Sequence, residues 1–139
     1  LGFQLALDGE LEAAETALRR AIDLAPGDHL AYYVLGDIRL KQDRHQEAEA
    51  HFREALARNP SHGEATAGLA RALSAQQRIP EAITLLRRAA DLLPDDPALP
   101  LELSRIYMKA GQEENAHAAA EEFRRRKQKA EAADSSLKR

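Results

Sequence analysis

Cysteine is absent from this 139-residue chain, and so is tryptophan. Neither a disulfide framework nor a thiolate metal site is available, and the redox state of the compartment is left open. Aromatic residues make up only 4%, so any core has to be built mainly from alanine and leucine. No window approaches the roughly 18 consecutive apolar residues of a membrane span. The opening stretch from Leu1 to Gly9 lacks the basic flank and cleavage site of a secretory leader. It also begins without methionine, as a fragment or processed product does. The net charge of −3 gives no basic field for general affinity to nucleic acid. With 44% hydrophobic and 31% charged residues, the chain is expected to be soluble, with cytoplasm and periplasm both open as its location.

What the chain does have is a period. Shifted by 34 residues, it aligns with itself: Pro26, Pro60 and Pro94 form one column, and Ala14, Ala48, Ala82 and Ala116 another. Leu1, Leu35, Leu69 and Leu103 form a third, followed directly by the small residues Gly2, Gly36, Ala70 and Ser104. Ala21, Ala55 and Ala89 repeat, Leu18, Phe52 and Leu86 hold a bulky site, and Gly9 falls in register with Gly111. Chance does not produce so many columns with one spacing.

Each period reads as two helices. Leu35 and Ile38 share one side of a helix from about His29 to Gln42, with Asp28 as its N-cap. Ala48, Phe52, Ala55 and Leu56 share the inner face of a second, His45 to Arg58, which Asn59-Pro60 ends. The next period predicts helices near Gly63–Ala75 and Pro80–Leu92. The last predicts one near Pro97–Ala110, capped by Asp96 and stopped by a left-handed Gly111. Short connections make paired helices antiparallel neighbours. A single hairpin cannot cover its own apolar face, so the hairpins must stack. The expected fold is all-α, a right-handed α-solenoid of stacked antiparallel helix pairs with a concave side.

At these columns the chain resembles the tetratricopeptide repeat family. Tyr32, Leu35-Gly36, Ala48, Phe52, Ala55 and Pro60 carry the resemblance in the second repeat, and Tyr107 adds to it in the fourth. The resemblance implies an array over about residues 1–133, with repeats at about 1–28 (partial), 29–62, 63–96 and 97–130, and a polar tail at 134–139. Three departures matter. Arg39 stands where the family has tyrosine, so its stem is expected to pack and its head to reach solvent. Phe123 and Gln128 replace an alanine and the terminating proline, so the last helix is expected to run on to about Ala133. The first repeat lacks about its first six residues, which leaves an apolar end open at the N-terminus.

Signatures of chemistry are missing. The glycines form neither a dinucleotide fingerprint nor a phosphate loop, and no serine sits in a nucleophile elbow. Glu47 with His51, and His117 with Glu121, lie four apart on helices; one such pair offers too few ligands for catalytic zinc. No catalytic, cofactor-binding or metal residue is assigned, no cofactor is expected, and the chain is not expected to be an enzyme. The basic run Arg124 to Lys129 is flanked by Glu121, Glu122, Glu131 and Asp134, and reads as a solvated helix end.

The resemblance implies that first helices line the concave groove. Its wall would carry Leu30, Tyr33, Asp37, Leu40 and Lys41, then Glu64, Ala67, Arg71 and Ser74, then Ala98, Leu101, Arg105, Met108 and Lys109. Arg71 and Arg105, one period apart, would project side by side and suit carboxylates; Tyr33, Leu101 and Met108 supply apolar surface. A competing reading pairs Arg71 with Asp37 or Glu64 and leaves the apolar groups as packing. The residues that clamp a chaperone C-terminus in some family members are not matched by Tyr33, Asp37, Gly68, Ala98 and Glu102. The expected role is a scaffold that binds a peptide or protein segment with acidic and hydrophobic residues, without nucleic acid or membrane insertion. Two alternatives are self-association through the open N-terminal end and service as the repeat arm of a larger enzyme, assembly or secretion machine.

Overall fold

The computed structural model describes the backbone of residues 2–137 and the side chains of residues 9–137. Among the described residues there are seven α-helices and no strand: α1 (Gly2–Leu24), α2 (His29–Lys41), α3 (His45–Arg58), α4 (Gly63–Ala75), α5 (Ile79–Leu92), α6 (Ala98–Lys109) and α7 (Glu113–Leu137). The pairs α2/α3, α4/α5 and α6/α7 form hairpins, each packed on the next, and α2 also touches α4 directly. This is the expected α-solenoid, with element ends within a residue of those predicted for α2 to α6. Leu1 lies outside the described residues.

The repeat columns become the core. Ala48, Ala55, Ala82 and Ala89 are fully buried, which lets second helices approach first helices closely. Leu35, Leu69 and Leu103 are buried on the facing side. Phe52 is the bulkiest wholly enclosed side chain, and burying such a ring contributes about 1.5–3 kcal/mol.

The turns are built alike. Asp43 (φ 59°), Gln77 (φ 63°) and Gly111 (φ 76°) occupy one column, and all three are left-handed. After each, an amide reaches back five residues: Arg44 to the Arg39 carbonyl (2.9 Å), Arg78 to Leu73 (3.0 Å) and Gln112 to Tyr107 (2.8 Å). This is the Schellman closure, and two non-glycine residues bear its strain. Asp28 caps α2 through Leu30 N–H at 3.0 Å, as expected. Asp96 accepts from Ala98 N–H at 2.9 Å.

Joints between repeats carry polar fasteners that the columns also encode. Glu15 and Glu49 stand one period apart. Glu15 accepts a forked pair from Arg39 at 2.6 and 3.0 Å. Glu49 accepts from Gln76 at 3.0 Å and Arg78 at 3.1 Å. Arginines of second helices grip the carbonyls of preceding turns: Arg58 on Pro26, Arg88 on Pro60, and Arg126 on Ala90, Leu93 and Asp96.

Gly9 lies inside α1, which runs unbroken from Gly2 to Leu24. Two expectations need correction. The Arg39 head does not reach solvent; Arg39 is 5% exposed, and its guanidinium lies between Glu15 and Glu47. The last helix passes Ala133 and continues to Leu137, since no helix breaker lies in that stretch.

Candidate functional site: the concave wall

First helices α2, α4 and α6 lie side by side and present three sets of side chains. On α2, Leu30 and Val34 are exposed at 52% and 39%. Tyr33 is half-buried, its ring 4.9 Å from that of His62 and 6.1 Å from that of Phe52. Burial pushes the Tyr33 hydroxyl above its usual range, and the nearby Asp37 and Glu64 add to the shift. Lys41 and Asp37 neutralise one another at 3.0 Å. This end of the wall is apolar with balanced charge. Leu40 is partly buried and packs against the core, as Tyr33 does.

On α4, Arg71 is committed. Its Nη2 and Nε donate to both oxygens of Glu102 on α6, at 2.6 and 3.0 Å. That forked bond raises the Arg71 pKa further. The competing expectation of a partner in Asp37 or Glu64 is therefore corrected: the partner is Glu102, because the α4–α6 spacing brings its carboxylate within reach.

Beside this pair lies a hollow of about 390 Å³, floored by Leu86 and Ile106 and rimmed by Arg71, Glu102, Arg105 and Lys109. The structure thus brings Arg71 and Arg105 to one rim, as the shared column predicted, and adds Lys109. Arg105 and Lys109 are exposed and have no ion-pair partner among the described residues. With Arg71 and Glu102 cancelling, the rim carries two uncompensated positive charges. Leu101 is half-buried and Met108 is 53% exposed, and neither lines the hollow.

Val34, Glu102, His62 and Gly68 were missed by sequence reasoning. Val34, Gly68 and Glu102 form one further column, so attention to the position before each column leucine would have found three of them. The basic run of α7 is largely occupied: Arg125 and Arg126 hold Glu122 at 2.7 and 3.0 Å, and Arg126 also grips the end of α5. Among the described residues no cluster of three metal-ligating side chains occurs, and no helix is long and apolar enough to cross a membrane.

A stack of antiparallel helix pairs with a side-chain-rich inner wall defines the class of helical-repeat scaffolds, in which stacked hairpins present an extended surface. The tetratricopeptide repeat family matches over residues 8–57 and 33–97, and again over 73–138, so the chain belongs to that family. No curated protein matches it in sequence. Solved structures share the fold. A crystal structure of MamA superposes with a TM-score of 0.82 at 20% identity, covering 95% of this chain and 77% of that one. A MamA RS-1 double mutant gives 0.81 at 20% identity, covering 94% and 74%. MamA 41-end from Desulfovibrio magneticus RS-1 gives 0.74 at 22% identity, covering 96% and 73%. The repeat family supports a protein-interaction scaffold in general terms, and these neighbours show the fold.

Proposed function

We propose that the concave wall binds an extended segment of a partner protein, with an apolar residue at the α2 end and a carboxylate at the α6 end. The observation that carries this is the pair Arg105 and Lys109, two unpartnered cations on the rim of an apolar-floored hollow, in a wall whose other cations are neutralised. Packed helices lie about 8–10 Å apart, so the α2 and α6 ends are about 20 Å from one another. An extended chain covers that in about six residues. The ligand is therefore a segment with leucine-like and acidic residues about six positions apart. The scaffold does no chemistry of its own, and nucleic acid is not its ligand, because the net charge is negative and the wall alternates in sign.

A labelled peptide with that spacing tests the reading by fluorescence anisotropy. Binding should weaken about tenfold or more in Arg105→Glu/Lys109→Glu, because charge-assisted bonds become repulsion. Equal binding by wild type and variant would end this assignment.

One observation favours a second reading. On α1, Ala17, Ala21 and the 87%-exposed Leu24 border a shallow hollow with no helix laid over it. A second copy of the chain fits such a face, and light scattering across a hundredfold concentration range decides it: a constant monomer mass removes self-association.

A further inference from the structure

Two imidazoles meet where the first helices of the second and third repeats begin. His29 opens α2 and His62 immediately precedes α4. Their Nδ1 atoms are 3.1 Å apart, and the rings cross at 81° with centroids 4.8 Å apart. His62 is 8% exposed.

Asn59 fixes where the protons are. Its Oδ1 accepts Ser61 N–H at 3.2 Å, so the atom 3.4 Å from His29 Nε2 is the amide nitrogen, which can only donate. His29 Nε2 is therefore bare, and the His29 proton sits on Nδ1. That proton is donated to His62 Nδ1, which must be bare in turn. The His62 proton is left on Nε2, 3.5 Å from the Glu64 carboxylate. The donors run in one direction, from Asn59 through His29 to His62, with the Glu64 carboxylate lying beyond at ion-pair distance.

Only one proton fits between the two Nδ1 atoms. A proton added at His29 Nε2 would face the Asn59 amide but leave the His29-to-His62 bond intact. A second, added to His62, has to enter at Nδ1, setting N–H against N–H. We propose that this pair is a proton-operated clamp: it fixes the start of α2 to the start of α4 at neutral pH, releases it on acidification, and so regulates the groove beside it. The regulatory half rests on the groove reading above, through Tyr33, whose ring packs on His62 and stands in the wall.

The surroundings oppose the second proton. From α2 the pair is faced by Tyr33, with Asp37 beyond it; from α4 by Glu64, with Arg71 two turns further on; from the turn before α4 by Asn59. The end of α5 contributes the uncharged Leu93, against Gly63. Burial, and then His29, hold the His62 imidazole below its usual range, against a smaller opposite pull from Glu64. A folded-state value below the unfolded one means stability that is full above about pH 6.5 and is lost as pH falls toward the folded value.

Long-range ¹H–¹⁵N spectra of the full chain test the assignment directly. At pH 7.5 His29 should be protonated on Nδ1 and His62 on Nε2. Between pH 6.5 and 4.5 His62 should take up its proton at Nδ1. As it does, amide exchange in the first turns of α2 and α4 should rise about tenfold above the intrinsic change. His62→Asn places an amide oxygen where Nδ1 stood, an acceptor that no proton in this range removes, and should abolish that rise. His29→Asn keeps a donor there and should preserve the rise. The opposite tautomers, or His62 titrating as freely as an exposed imidazole with exchange unchanged, would overturn the clamp. The peptide described above supplies the second arm, with affinity weaker at pH 5.0 than at 7.5 in wild type and level in His62→Asn. If the clamp opens but affinity does not change, regulation is overturned and the groove reading stands. If the peptide binds at neither pH, the groove reading falls while the spectra still decide the clamp.

Discussion

The ring of Phe52 occupies the space that a side chain on Gly68 would need. A β-carbon there would fall 2.5 Å from Phe52 Cζ, and one on Gly36, across the ring, 2.7 Å from Cε1. Phe52 thus reaches from the second helix of one repeat between two first helices, α2 and α4, and the two glycines form its slot.

Gly68→Ala is accordingly expected to lower stability by about 1–3 kcal/mol, although alanine is the better helix former. The ring cannot retreat, because Gly36 closes the other side. Phe52→Leu in the same chain should recover part of the loss, and thermal denaturation of the single and double variants measures it. Additive losses would show that the slot is not the cause.

Gln77→Gly is expected to stabilise the chain by about 0.5–1 kcal/mol, since a left-handed residue without a β-carbon carries no such strain. Gly111→Ala, at the equivalent turn, should destabilise by about 1 kcal/mol. Urea denaturation of the two variants should move the midpoint in opposite directions.

Arg39→Ala is expected to cost about 3 kcal/mol, because it strands the largely covered Glu15 carboxylate, while the more exposed Glu47 stays hydrated. Acid should work on the same joint. The hydrogen bond from Arg39 holds the Glu15 carboxyl below its usual range, so its stabilisation is present above about pH 4.3 and fades as pH falls through the lower folded value. Pepsin at pH 3 should cut within α1 before it cuts α4 or α5; simultaneous cutting throughout would remove the joint as the weak point.

Arg105→Glu should leave the melting temperature nearly unchanged while reducing peptide capture. Arg71→Glu should reduce both, because it sets two carboxylates against each other across α4 and α6. Parallel melting curves and anisotropy titrations separate a residue free for a ligand from one already engaged.

The sequence made the helices readable because their ends are marked chemically: Asp28, Pro60, Asp96 and Gly111 each act within one turn of the backbone. Arg39 misled for a physical reason. A lone arginine among apolar residues normally extends its head to water, and its partner Glu15 lies 24 residues earlier, in a preceding helix. Glu102 was hidden in the same way: its engagement with Arg71 depends on the distance between two first helices, which only stacking sets. Asp43 and Gln77 do not advertise a left-handed backbone, yet their shared column with Gly111 held the clue. In the groove, the column of Arg71 and Arg105 was legible, but which of the two is free was not.

The Glu15 and Glu49 fasteners stop there. One period on, the position is Ile83, and Ala110 and Gln112 stand where Gln76 and Arg78 would reach it. The last joint is bridged on its inner side by Arg71 and Glu102, while Arg126 holds α7 to the end of α5. A bound segment that drew Arg71 from Glu102 would release the inner side alone, leaving Arg126 as the pivot, so the curvature of the coil would follow its occupant and be felt as a change of shape along the rod.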